Sequence, residues 1–411
     1  MFKDLQQTAG HGLIGVSLVL ALAHVPAAHA GAAEQLYTGS LGKQPIVLGL
    51  TLSDEDAPAR YFYQRHHLDI PLFAGKLGKT HLELIEGVDE SAPRPVITLD
   101  RQANGSWQGI WRGADGKTLP LSLHPATPTP PASDAVPYLH KLYRDDPYGY
   151  LRLADLKLQA GRKQTVMGYH LQWWQQPAAK LAMFEITDGY PEAERQRINA
   201  ILRNRLWQET DAYFECMGSA HSADLADFEQ TVTPELFTPH LISVTVHTDY
   251  YCGGAHPDFG TAGINLDAHT GQPIALEDLL WLGKGKAPHV ISLAEDATQT
   301  PDSAAMDALS AYHETTLAPW LVAQFGRIYP KQMAPTQDDD CSYDDPSLWA
   351  YPNWYLTAKG VYFGPSFPRA ARACEANDDW SVLPWALVRQ HPGPLRDAIP
   401  NAHPQAPSNT R

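Results

Sequence analysis

The N-terminal third of the chain consists of short segments in which apolar and polar residues alternate. They lie between residues 36 and 123 and are separated by glycines, as in PIVLGLTL (45–52) and HLELIEG (81–87). Alternation at the spacing of hairpins is typical of an antiparallel β-meander. Gly39, Gly75 and Gly109, which each precede a lysine-bearing turn, are 36 and 34 residues apart. The pattern predicts a small β-barrel or sandwich over residues 31–124.

Residues 125–137 (PATPTPPASDAVP) interrupt this alternation. The segment contains five prolines in thirteen residues and few bulky apolar side chains. Because proline-rich segments adopt an extended, semi-rigid conformation, we expect a linker between two domains here.

After the linker, segments with strand-like and helix-like patterns are mixed. Residues 191–210 have the spacing of an amphipathic helix that begins at Pro191, with one apolar face formed by Ile198, Ile201, Leu202 and Leu206. The other predicted elements are a hairpin from residues 164–174 (QTVMGYHLQWW) and 180–186, two strands within 226–251, a strand, turn and short helix within 263–280, a helix over 303–325 and a hairpin over 353–364.

These elements lack the regular alternation of strand, helix and strand that builds a parallel sheet. The pattern therefore predicts the α+β class, with an N-terminal all-β meander followed by a mixed domain of antiparallel sheet and packed helices. We expect this second domain over residues 138–395 and a disordered tail over 396–411.

The first thirty residues are organised like a secretory signal peptide. Lys3 lies in a short polar start, residues 12–23 are an apolar run, and Ala28-His29-Ala30 is a small-x-small cleavage site. The apolar run is shorter than the about 20 residues that span a bilayer as a helix. We expect cleavage after Ala30 and a soluble product, periplasmic or secreted, without a lipid or transmembrane anchor.

Four cysteines follow this segment: Cys216, Cys252, Cys341 and Cys374. An even number in an exported protein indicates disulfides, although four cysteines allow three pairings. We favour Cys216 with Cys252 and Cys341 with Cys374, which closes the shorter loops. A zinc site is disfavoured because the sequence has no C-x-x-C pair.

The formal net charge of −15 limits the classes of partner. A nucleic-acid binder is excluded, because the phosphates would be repelled. An acidic surface favours cationic partners through long-range attraction, although it also serves solubility alone.

The segment HTDYYCGGAHPDFG (residues 247–260) gathers polar side chains around a Gly-Gly pair. His247, His256 and Asp258 are candidate metal ligands, but no H-x-x-x-H or H-E-x-x-H motif accompanies them. We favour a structural or binding loop, in which the glycines adopt positive φ, Pro257 fixes the exit and His256 bonds exposed backbone. The residues predicted to contact a partner are Tyr250, Tyr251, Gly253, Gly254, His256 and Asp258.

Other candidate chemistry is weaker. Gly218-Ser219-Ala220-His221 lacks the pattern of a nucleophile elbow, and the acidic segment 338–345 lacks the glycine and terminal glutamate of an EF-hand loop. A glycosidase site with two paired carboxylates is left as an open alternative, since the distance between carboxylates cannot be inferred from sequence. A sugar-stacking surface is a further option, formed by Trp173 or Trp174, Trp349, Trp354 and Trp380. We predict no catalytic residue, metal ligand or cofactor.

Residues 251–280 resemble a domain of unknown function found in the ectodomain of RsiV, the lysozyme-sensing anti-sigma factor, and beside peptidoglycan deacetylase domains. The matching positions are Tyr251, Gly253, Gly254, Ala255, His256 and Pro257, then Asp267, Thr270, Gly271 and Gln272, then Leu276, Asp278 and Leu279. Residues 360–373 resemble the closing hairpin of that family, and residues 164–216 its companion domain. Cys252 within the motif and the lack of a transmembrane helix depart from the pattern.

The resemblance implies a binding protein of the cell envelope that recognises a cell-wall hydrolase, such as a lysozyme, or a cell-wall glycan. The acidic charge suits the first target, because lysozyme-like hydrolases are usually cationic. The alternatives are an envelope enzyme acting on peptidoglycan, metal-dependent through His247 and His256, and a structural envelope protein whose N-terminal domain docks a membrane partner.

Overall fold

A computed structural model describes residues 34–54, 58–87, 93–219, 226–291, 303–334, 341–375 and 380–401. The predicted signal peptide lies outside these residues. No helix in the described part of the chain combines the length and the apolar composition needed to cross a bilayer.

The N-terminal meander is a closed barrel of eight antiparallel strands in sequence order, with β1 paired to β8. The predicted fold class is therefore confirmed, and of the two options named for this part of the chain the barrel is formed. The strands are β1 Gln35–Leu41, β2 Gln44–Leu50, β3 Ala59–Tyr63, β4 Asp69–Leu77, β5 His81–Glu86, β6 Val96–Arg101, β7 Trp107–Arg112 and β8 Thr118–Pro125.

Two glycines of the repeated turns allow close contact between barrel strands. A Cβ atom at Gly39 would lie 1.9 Å from the Ser122 carbonyl oxygen, and one at Gly109 would lie 1.8 Å from that of Thr98. Since no real Cβ fits at such distances, only glycine lets these strands approach. Two of the three glycines of the faint repeat thus have a steric cause, the close approach of neighbouring barrel strands.

One side of the barrel is covered by helix α2, Pro147–Leu153, which follows α1, Pro137–Asp145. Because side chains alternate along a strand, Val47 and Phe62 point away from the barrel interior, and both are buried under Tyr148 of α2. Residues 126–136, in the predicted linker, contain neither helix nor strand.

The first part of the α+β region surrounds helix α3, Glu192–Ser219. This helix packs against strands β9 Gln159–Val166, β10 Tyr169–Gln176 and β11 Leu181–Asp188, and the same core includes β12 Asp227–Phe237, β13 Leu241–Tyr251 and β14 Asp258–Asp267. The predicted helix is thus present and extends nine residues beyond residue 210. Ile198, Leu202 and Leu206 are buried as expected, whereas Ile201 is half-buried.

The prediction that residues 164–174 form one strand is wrong. Strand β9 ends at Val166 and β10 begins at Tyr169, with a two-residue turn between them. Met167 and Gly168 in this turn have φ angles of 50° and 88°. Positive φ at both central residues suits the right-handed twist of a tight hairpin, so the chain reverses within the segment.

A second core lies under the C-terminal elements. It contains α4 Leu276–Leu279, α5 Ser303–Tyr312, a π-helical turn His313–Leu317, α6 Ala318–Ile328, the sheet of β15 Asn353–Leu356, β16 Gly360–Gly364 and β17 Val382–Pro384, and α7 Trp385–Val388. Pro319 has no N–H to donate to the carbonyl of Thr315, which accounts for the widened π-helical turn. Residues 396–398, expected in the tail, form a 3-10 turn, and Ile399 is buried in this core; residues 402–411 lie outside the described part.

Buried charges join the barrel to α2 and α3. Arg152, whose side chain is 2% exposed, lies 2.6 Å from the Asp69 carboxylate on the barrel strand β4 and 3.7 Å from that of Asp211 on α3. The hydroxyls of Tyr148 and Tyr138 donate to these two carboxylates. We refer to these five residues as the junction cluster.

Asp211 should make stability depend on pH. Burial raises the pKa of its carboxyl above the ordinary 3.8, and the hydrogen bond from Tyr138 and the charge of Arg152 offset only part of that effect. The folded state therefore binds this proton more tightly than the unfolded state does. The resulting stabilisation is present below pH 3.8 and is lost as the pH rises through the folded pKa.

We expect the wild type to lose stability relative to Asp211→Asn as the pH rises through that window, measured by urea denaturation at a series of pH values. Asp145→Asn removes an exposed carboxylate and serves as the control, with a flat difference expected. If the wild type instead gained stability relative to Asp211→Asn as the pH rises, the prediction would be contradicted.

Candidate functional site

The Gly-Gly motif forms the connection between β13 and β14. Gly253 and Gly254 have φ angles of 88° and 108°, in the region that favours glycine, as expected. Cys252 is bonded to Cys216 near the end of α3. The Tyr251 hydroxyl donates to the carbonyl of Gly254, 2.9 Å away, and so braces the turn from within.

Two arginines of the 3-10 segment Arg369–Glu375 hold the motif loop from outside. The Nε of Arg369 donates to His256 Nε2 at 2.8 Å, while His256 Nδ1 contacts the carbonyl of Pro257. Arg372 donates to the Asp258 carboxylate at 3.2 Å, and its guanidinium lies over the ring of Phe259. His256 and Asp258 are thus engaged within the protein.

The second predicted disulfide, Cys341–Cys374, is also formed, and it anchors the segment that carries these arginines. One disulfide therefore fixes the motif loop and the other fixes the segment packed against it. Each segment is thus attached covalently to another part of the chain, and the contacts of Arg369 and Arg372 with His256, Asp258 and Phe259 join the two segments to each other.

The two tyrosines of the motif do not form one surface. Tyr250 pairs across the strands with Asp258, whereas Tyr251 lies on the opposite face of the sheet, because successive side chains alternate. Both tyrosines are half-buried. Burial also raises the pKa of the Tyr250 hydroxyl.

A concave surface lies beside the motif, between strand β14 and the β15–β16 hairpin. Its volume is about 160 Å³. Tyr355 and Tyr362 face each other across the hairpin, with ring centroids 4.4 Å apart and nearly parallel planes. We name this surface the aromatic groove, lined mainly by His247, Phe259, Thr261, Asn353, Tyr355, Tyr362, Gly364 and Glu375.

Glu375, the last residue of the 3-10 segment Arg369–Glu375, also lines the aromatic groove. Its carboxylate accepts from the Phe367 amide at 2.6 Å and from Arg372 at 2.6 Å. Burial raises the pKa of this carboxyl, while these two donors and the charge of Arg372 act in the opposite direction.

Three carboxylates lie beyond the groove, on the face of the sheet that carries Phe259. The register aligns Glu229 of β12, Asp249 of β13 and Phe259 of β14 in one row, with Asp227 in the next row at the strand end. Strands are about 4.8 Å apart, so Glu229 lies about 10 Å from Phe259. We name Asp227, Glu229 and Asp249 the acidic strip.

Like charges directly opposite each other on neighbouring strands are unfavourable, and Glu229 and Asp249 are such a pair. Asp249 contacts His247 Nε2 at 3.1 Å. Within the described ranges, no lysine or arginine forms an ion pair with a carboxylate of the acidic strip. The strip therefore offers negative charge to an external cation.

His247 is engaged within the protein in a way that does not suit a metal ligand. Its Nδ1 contacts the Thr261 hydroxyl at 2.8 Å and its Nε2 contacts Asp249. The described residues contain no group of three or more histidine, cysteine, aspartate or glutamate side chains that could hold a metal ion.

Thr261, His247 and Asp249 form a hydrogen-bonded series of hydroxyl, imidazole and carboxylate, which is also the order of groups in a nucleophilic triad. The side chains of His247 and Asp249 are 40% and 62% exposed, however, so water competes for the imidazole. These three side chains therefore fit a hydrogen-bonding surface better than an enclosed catalytic centre.

The remaining sequence candidates have structural roles. The Ser219 hydroxyl donates to the carbonyls of Cys216 and Cys252, and His221 lies outside the described residues. In the acidic segment, Asp345 caps the 3-10 turn at Ser347, while residues 338–340 are outside the described part.

The tryptophans do not form a common stacking surface. Trp173 is buried, and Trp174 on the opposite face is half-buried with its Nε1 donating to Glu185, as alternation requires. Trp349 is fully buried in the second core, and the rings of Trp349 and Trp380 pack together, so the hypothesis of a sugar-binding tryptophan patch is wrong.

Sequence reasoning missed most of the aromatic groove. The predicted hairpin over 353–364 held a usable signal, because a hairpin turning at 357–359 places Tyr355 opposite Tyr362. Arg369 and Arg372 carried no such signal, since His256, Asp258 and Phe259 lie more than 100 residues away from them in sequence.

Comparison with known proteins leaves the family open. No protein-family model matches the chain, and no curated protein sequence matches it. Among solved structures, the chain is similar to a crystal structure of a member of the DUF3298 family from Bacteroides fragilis NCTC 9343. The identity is 13% and the TM-score 0.32, over 60% of this chain and 97% of that chain. Values this low assign neither a family nor a function.

Proposed function

We propose that the protein is an exported binding protein of the cell envelope and that its ligand is a cationic cell-wall hydrolase of the lysozyme type. The observation that carries this proposal is the acidic strip beside the aromatic groove. Strongly charged surfaces increase the rate of encounter with partners of opposite charge, and aromatic side chains are enriched in the centres of interfaces.

Several features support a protein ligand over a glycan. A neutral glycan would leave Glu229 and Asp249 uncompensated, whereas a cationic surface relieves their repulsion. The net charge of −15 acts in the same direction at long range. The two disulfides support export, since such bonds persist in oxidising compartments.

The test is a titration of the mature protein with a c-type lysozyme by calorimetry at low and moderate salt. We expect binding that weakens with salt, and about tenfold weaker binding for the double variant Glu229→Gln/Asp249→Asn, equivalent to about 1.4 kcal/mol. The loss should appear mainly in the association rate, because the changed charges are exposed.

The matched control is Glu83→Gln/Asp134→Asn, which changes the net charge equally but on exposed positions of the barrel and linker. Equal losses in the two double variants would show that only the total charge matters. Lack of binding by the wild type at low salt would refute the proposed function.

A further inference from the structure

We propose that the aromatic groove is an anchor site for one arginine side chain of the cationic partner. This inference rests on the proposed function and adds the chemical group that is recognised. The acidic strip would guide the partner to the surface, while the groove would hold it there.

The walls of the groove suit a planar cation. Tyr355 and Tyr362 supply aromatic surface beside Phe259, and guanidinium groups stack on aromatic faces. The protein already contains this arrangement: the guanidinium of Arg372 lies 5.1 Å from the centroid of the Phe259 ring and donates to the Phe259 carbonyl at 2.7 Å.

Oxygen atoms that could accept from a second guanidinium line the groove, although the Thr261 hydroxyl already contacts His247 and the Glu375 carboxylate already accepts from Phe367 and Arg372. Asn353, Thr261 and Glu375 line it with amide, hydroxyl and carboxylate oxygens. Around the groove and the motif loop, carboxylates outnumber arginines: Asp227, Glu229, Asp249, Asp258 and Glu375 against Arg369 and Arg372. The negative local charge therefore favours a cationic side chain over a neutral sugar ring as the occupant of the groove.

The size of the groove, about 160 Å³, suits one side chain or one sugar ring, and its charge distinguishes between these two occupants. At about 160 Å³ it cannot enclose an oligosaccharide or a folded segment. A buried arginine with its charge and hydrogen bonds satisfied is a frequent hot spot of interfaces, and such contacts act mainly on the dissociation rate.

Gly364 offers a way to fill the groove without changing any charge. A Cβ atom there would lie 3.3 Å from the Tyr362 ring and 3.5 Å from the Asn353 carbonyl oxygen, both at the groove wall. We expect Gly364→Val to raise the dissociation rate of the c-type lysozyme complex about tenfold, with the salt dependence of association unchanged. Gly326→Val, at a helix position where a Cβ meets no atom within 4 Å, is the matched control.

Tyr355→Leu is the second variant, in case Gly364→Val lowers the melting temperature of the free protein. It keeps an apolar side chain but removes the aromatic face, and a similar rise in the dissociation rate is expected. Wild-type dissociation rates for both groove variants would overturn the inference, while binding by the wild type would leave the proposed function in place.

The identity of the occupant is tested by competition. L-Arginine amide should weaken the titration of the wild type by the lysozyme, whereas L-citrulline amide at the same concentration, which has the same α-amino group but an uncharged ureido side chain, should not. Equal competition by both, or by neither, would overturn the assignment to arginine. Competition by an oligomer of N-acetylglucosamine would instead assign the groove to a sugar.

Discussion

Replacement of Arg152 by alanine is expected to lower the free energy of unfolding by about 3–5 kcal/mol, the usual cost of removing one partner from a buried ion pair. The variant leaves the carboxylate of Asp69 buried next to that of Asp211, without the cation that lies between them. Because Asp69 belongs to the barrel and Asp211 to α3, the effect should reach both parts of the protein.

Equilibrium denaturation in urea, followed by both tryptophan fluorescence and circular dichroism, measures this loss. Arg203→Ala is the control, since Arg203 pairs with Glu185 at the surface with 47% of its side chain exposed. Exposed pairs contribute about 0–1 kcal/mol. If the two arginine variants lost similar free energies, the junction cluster would not stabilise the fold as argued.

The Cys216→Ala/Cys252→Ala double variant is expected to lose about 2–5 kcal/mol of stability. The disulfide closes a loop of 36 residues between α3 and the motif, so its removal enlarges the unfolded ensemble and releases the loop from the helix. Amide exchange in residues 252–257 should accelerate more than exchange in β13.

Urea denaturation under non-reducing conditions supplies the free energies, and mass spectrometry of the exchanged peptides supplies the local rates. Non-reducing peptide mapping of the wild type provides the control that Cys216 is joined to Cys252. A stability loss below about 1 kcal/mol with unchanged loop exchange would mean that the other contacts of the loop suffice without the bond.

The barrel was the most predictable part of the structure. Apolar and polar residues alternate along its short strands, and Gly39 and Gly109 occur where no Cβ fits. Closure itself could not be predicted from the sequence, because it depends on pairing between β1 and β8, whose partner residues are 80 to 88 positions apart. The burial of Val47 and Phe62 on the outer face likewise follows from a helix that arrives later in the chain.

The candidate site was predictable only in part. The turn at Gly253-Gly254 and both disulfides follow from local chemistry and loop length, and the structure contains them. The groove is formed by segments far apart in sequence, since Arg369 meets His256 across 113 residues. Alternation indicates which side chains share a strand face, but not which distant segment covers that face.

Hydrogen–deuterium exchange of the mature protein, free and saturated with a c-type lysozyme, tests most directly whether the aromatic groove and the acidic strip form the binding surface. We predict slower exchange on binding in residues 227–231, 247–251 and 353–364, with unchanged exchange in the barrel. Protection confined to the barrel strands, or no protection around the groove in a saturated complex, would contradict the assignment of this surface.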